Sequence, residues 1–60
     1  MNSKMQLLQT LAEIKKEYNE ARLRELELKG TLNKKEWIEF QHLNHLLGLI
    51  FDLEGQLQIV

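Results

Sequence analysis

Between Leu28 and Trp37 the chain carries a helix stop and a helix start in close succession, and no other stretch restricts the fold as much. Gly30 follows a long helical pattern and takes the left-handed conformation that closes a helix, while Lys29 in the last turn suits the negative end of the helix dipole. Asn33 caps the next helix, and Glu36, three residues on, is its capping-box partner. Leu32 and Trp37 hold the two positions of a hydrophobic staple. These signals agree on one boundary. They predict a single domain over residues 1–60, with a helix over 4–29, a turn over 30–33 and a second helix over 34–57.

The first arm opens on Ser3 and Gln6 as a capping box. It then carries Leu7, Leu11, Ile14, Tyr18 and Ala21 at alternating steps of four and three, which is one helical stripe. Leu8 and Ala12 widen it on one flank, as in a helix packed within a bundle. Glu20 with Arg24 and Glu25 with Lys29 have the favourable i,i+4 order. Beyond Ala21 the stripe loosens: Leu23, Leu26 and Leu28 point in three directions, so at least one is expected to be exposed or to meet another partner.

The second arm places Trp37, Phe40, Leu43, Leu47, Ile50, Leu53 and Leu57 along one broad face, the better core face of the two. Ile38, Leu46, Leu49 and Phe51 lie off that line, and from Leu46 to Leu53 apolar residues cover most of the circumference. One partner helix cannot cover them, so this arm predicts self-association or capture by another protein. Gly48 and Gly55 are seven residues apart and can admit a second helix closely. Gly55 can instead end the helix and leave 56–60 as a tail. The alternation of Phe51, Leu53, Gly55, Leu57 and Ile59 with polar residues also fits a short strand hairpin, which needs a further surface to be stable.

Two arms of matched length joined by a short connection predict an all-α fold, an antiparallel two-helix hairpin that pairs into a dimeric four-helix bundle. The need for pairing comes from size. Sixty residues without cysteine have neither a disulfide frame nor a thiolate metal site, and a core this small seldom contributes more than ~3–5 kcal/mol. No cysteine fits a reducing compartment, no continuous apolar segment marks a signal peptide, and the Leu46–Phe51 run is too short to span a bilayer, so the expected location is the cytoplasm with no membrane partner.

Catalytic chemistry finds no support in the residues. Glu39, His42 and His45 share one side of a helix at three-residue spacing, but there is no His-Glu-x-x-His pattern and no fourth donor, so they read as polar residues flanking a bundle. Ser3 or Thr31 with either histidine lacks the elbow and oxyanion loop of a nucleophile system, and the three glycines are too scattered for a phosphate loop. No cofactor, metal or catalytic residue is expected. A formal net charge of −1 gives no general attraction to nucleic acid. Lys34 and Lys35 lead a helix in which Glu36 and Glu39 follow at once, and Lys15, Lys16, Arg22 and Arg24 are interleaved with acids.

Arg22-Leu23-Arg24-Glu25-Leu26 through Gly30-Thr31-Leu32-Asn33-Lys34-Lys35-Glu36 resembles short bacterial helical-hairpin proteins that carry a Leu-rich first helix, a Lys-Gly turn and a Thr/Asn-capped second helix. The resemblance covers under half the chain and implies the fold alone. The expected function is a non-enzymatic protein–protein interaction module or regulator. It would act as a homodimer, or on a larger protein, through Leu26, Trp37, Phe40, Leu47, Ile50, Phe51, Leu53 and Leu57. The competing expectations are a nucleic-acid-associated accessory protein and a phage-encoded modulator of a host transcription or repair factor.

Overall fold

A computed structural model describes residues 3–59. Met1 and Asn2, within the expected domain, and Val60, the end of the expected tail, lie outside the described residues. The chain is all-helical, with α1 over Ser3–Glu17, α2 over Glu20–Lys29 and α3 over Lys34–Ile59, and no strand among the described residues. Both α1 and α2 pack against α3.

The first arm is therefore two helices and not one helix over 4–29. The break falls where Asn19 leaves the helical region at φ −123° and ψ 99°, and its side-chain oxygen accepts from the Arg22 backbone N–H. Asn is a strong N-cap residue, Glu20 supplies the acid that suits the first turn of α2, and Lys15 and Lys16 supply cations in the last turn of α1. The start of α2 is thus capped, and cations stand at the end of α1. The consequence is a change of phase. Leu11 is buried, Ile14 and Tyr18 pack against the core, and then Leu23 and Leu26 take over in place of Ala21, which is exposed.

Gly30 ends α2 at φ 78° and ψ −51°. The sign of φ is as expected, but the conformation is a γ-turn, closed by the Thr31 N–H donating to the Lys29 carbonyl at 2.9 Å. The capping box is complete in both directions: Glu36 N–H donates to Asn33 Oδ1 at 2.8 Å, and Asn33 N–H to Glu36 Oε1 at 3.1 Å. Leu32 packs on the core.

The core consists of Leu23 and Leu26 against Leu43 and Leu46, with Leu11 and Ile50 buried farther from the turn. On α3 the buried line is Leu43, Leu46 and Ile50, continued by half-buried Leu53 and Leu57. Leu46, placed off the core line by the sequence reading, belongs to it, and Trp37, placed on it, is 50% exposed. The reason lies at the start of α3. There the same line is occupied by Glu36 and Glu39, whose carboxylates take Lys29 and Arg22 as partners, so Trp37 is turned aside. A third ion pair, Lys15 with Glu54 at 3.8 Å, joins α1 to α3.

Gly55 does not end α3, and Gln56–Ile59 is helix, neither strand nor tail. A helix of 26 residues measures ~39 Å, and the molecule is a rod of 46 × 16 × 15 Å with a radius of gyration of 13.9 Å. A compact chain of this length would have a radius of gyration of about 10 Å.

A candidate protein-interaction face

A second stripe runs along α3. Trp37, Phe40, Asn44, Leu47 and Phe51 follow at steps of three and four, and at 3.6 residues per turn their mean direction is turned roughly 110° from the Leu43–Leu46–Ile50 line. Trp37 is 50% and Phe51 64% exposed, whereas Phe40 and Leu47 are half-buried and also pack against the core. The rings of Trp37 and Phe40 stack with centroids 5.8 Å apart and planes at 18°, a rigid aromatic pair at one end of the stripe. No charged side chain lies among these five.

Toward the other end is a groove of about 600 Å³ with Tyr18, Leu47, Ile50 and Phe51 as its apolar surface and Lys15, Glu20 and Glu54 as its charged rim. A smaller hollow of about 190 Å³, which shares Tyr18, Glu20 and Leu47, extends along α2 to Arg24 and Glu27. Tyr18 and Glu20 flank Asn19, so the helix break shapes the groove. The sequence reading did not assemble Tyr18, Lys15 and Glu20 with the apolar face of α3. The available signal was Asn19, a capping residue standing between cations that close one helix and an acid that opens the next.

The eight expected contact residues divide into two groups. Leu26, 1% exposed, and Ile50 are core residues of the chain itself, and Leu53 and Leu57 continue the Ile50 line half-buried, so these four serve the fold. Trp37, Phe40, Leu47 and Phe51 share the outer stripe. Other exposed apolar side chains lie off this stripe: Met5 and Leu8 on α1, Leu28 on α2, and Ile38 and Ile59 on other sides of α3.

Charge chemistry is concentrated on the flank near the turn. Arg22 grips both carboxylate oxygens of Glu39, with Nε to Oε2 and Nη2 to Oε1 each at 2.9 Å, and its Nη1 reaches Glu25 at 2.8 Å. Hydrogen bonding from Arg22 holds the Glu39 carboxyl below the usual carboxylate range, and the same bond raises the guanidinium further above its already high value. Glu36 is lowered by its hydrogen bond from Lys29 and by the Asn33 backbone N–H. Glu39 is thereby committed to Arg22, while His42 and His45, with which its spacing grouped it, are exposed. Among the described residues, no helix is long and apolar enough to cross a membrane.

Comparison with protein-family models, with curated proteins and with solved structures gives no match.

Proposed function

We propose that the chain is a non-enzymatic protein–protein interaction module of the cytoplasm, an antiparallel hairpin with α1 and α2 as one arm and α3 as the other. Two copies close into a four-helix bundle that acts as a small regulator. The observation that carries this reading is the uncharged stripe of Trp37, Phe40, Asn44, Leu47 and Phe51, of which Trp37, Asn44 and Phe51 are exposed, and whose mean direction is turned well away from the core line. A helix inside a four-helix bundle touches two neighbouring arms, whereas α3 has the single arm formed by α1 and α2 on one side and carries two apolar lines.

Surface area argues the same way. The chain exposes 4866 Å², against roughly 4,100 Å² for a compact protein of its 7.2 kDa mass. Each large apolar side chain that a second copy covers adds about 1.5–3 kcal/mol, so a few residues suffice for a stable pair.

Sedimentation equilibrium over a wide concentration range tests this. The expected result is a dimer of the 7.2 kDa chain. Phe51→Asp is expected to weaken it roughly tenfold or more, because a carboxylate would be drawn out of water at the interface, while the helix caps remain intact. A monomeric mass for the unaltered chain at high micromolar concentration would sink the homodimer.

A further inference from the structure

The aromatic pair and the groove lie on the same side of one helix, and together they define how a second copy would sit. Trp37 and Phe51 are 14 residues apart, about 21 Å along α3. Trp37, 50% exposed and stacked on half-buried Phe40, stands at one end of the stripe, and exposed Phe51 beside the groove stands at the other. From this geometry we infer that α3 packs antiparallel on the α3 of a second copy about a two-fold axis near Asn44. Trp37 of each copy then stands at the level of Phe51 of its partner. The inference rests on the homodimer reading and goes beyond it by fixing which helices touch and in which direction.

A two-fold axis perpendicular to α3 at Asn44 carries residue 37 onto the level of residue 51 and residue 34 onto the level of residue 54. Trp37 facing the Phe51 level of the partner thereby becomes two identical contacts, the form a closed isologous dimer requires.

Charge selects the direction. After Lys35 no Lys or Arg follows in α3, and its acids beyond Glu39 are Asp52 and Glu54, of which Glu54 is paired with Lys15. Glu36 and Glu39 are already engaged by Lys29 and Arg22, which leaves Lys34 and Lys35 to set the charge at the start of α3. Antiparallel packing brings Lys34 to the partner's acidic end. Lys34 and Asp52 stand on the same flank of the stripe, a whole number of turns apart, so they meet across the pair. Parallel packing would set like charges side by side at both ends.

The chain has no cysteine, so single thiols report position without ambiguity. Lys34→Cys and Asp52→Cys chains, both exposed at these sites, are purified separately, refolded as a mixture and treated with a short bis-maleimide; the mass of the unaltered chain is measured alongside. A dimeric mass with a cross-link in the mixture several-fold above that of either variant alone is the expected result. Self-linking is weak in this arrangement because two copies of residue 34 stand about 30 Å apart, and two of residue 52 about 24 Å. A dimeric mass with self-linked Lys34→Cys, or with no product enriched in the mixture, overturns the antiparallel arrangement and leaves the interaction module standing. A monomeric mass overturns both.

Discussion

Arg22 and Glu39 face one another as a fork on a fork, with two N–H···O contacts of 2.9 Å joining α2 to α3 beside the core. Paired bonds of this kind fix orientation as well as distance, and here they set the level at which α2 meets α3.

The pair makes stability depend on acid. Because Glu39 and Glu36 both have folded-state pKa values below the ordinary carboxylate range, their contribution is complete above the unfolded value near 4.3 and is lost as pH falls through the lowered folded values. Thermal melts followed by far-UV circular dichroism are expected to hold level from neutrality to about pH 5 and fall below about pH 4. Glu39→Gln is expected to lower the melting temperature at pH 7 and to flatten this acid limb. An unchanged limb would remove Glu39 from the account.

Removing the cap at the helix break separates local from tertiary control. Asn19→Ala deletes the bond to the Arg22 N–H and is expected to cost about 0.5–2 kcal/mol in urea unfolding. A neutral result would show that packing of Tyr18 and Leu23 imposes the break without the cap.

The glycines are expected to respond with opposite signs. Gly30 sits at φ 78° in its γ-turn, so Gly30→Ala should destabilise by about 1–3 kcal/mol. Gly48 lies inside α3, and an added methyl would meet nothing within 4 Å, so Gly48→Ala should stabilise the isolated chain by about 0.5–1 kcal/mol. Urea midpoints for the two variants check both signs.

Two leucines two residues apart should differ as sharply. Leu26 is 1% exposed and Leu28 82%, so Leu26→Ala is expected to cost about 2–5 kcal/mol and Leu28→Ala to stay within about 0.5. Equal losses would mean that Leu28 is covered by a partner.

The junction was legible in the sequence because caps act locally: Gly30, Asn33 and Glu36 carry their instructions within a few residues of one another. The stripe through Leu11, Ile14 and Tyr18 was legible for a similar reason, since periodicity survives as long as the helix is unbroken. The break at Asn19 is not legible in periodicity because residues on both sides of it favour helix, and only its cap geometry separates two helices from one. Leu46 and Trp37 exchanged roles because the ion pairs of Glu36 and Glu39 occupy the start of the α3 core line, a tertiary effect that hydrophobic periodicity does not contain. Gly55 stayed helical although glycine is common past helix ends, since α3 continues along Leu53 and Leu57, both half-buried. The outer stripe was half visible as an excess of apolar residues, but its separation from the core required knowing which leucines were already covered.

The break at Asn19 also divides the molecule in time. Leu23, Leu26, Leu43 and Leu46 form one cluster that closes over a short length of chain through the Gly30 turn, so loop-closure entropy opposes it little. The residues of α1 join from farther along the chain, with Leu11 as their one buried side chain. Helix α1 is expected to open about the break while the turn-proximal cluster persists. Amide protons of α1 are expected to exchange with solvent before those of α2 and of α3 through Ile50.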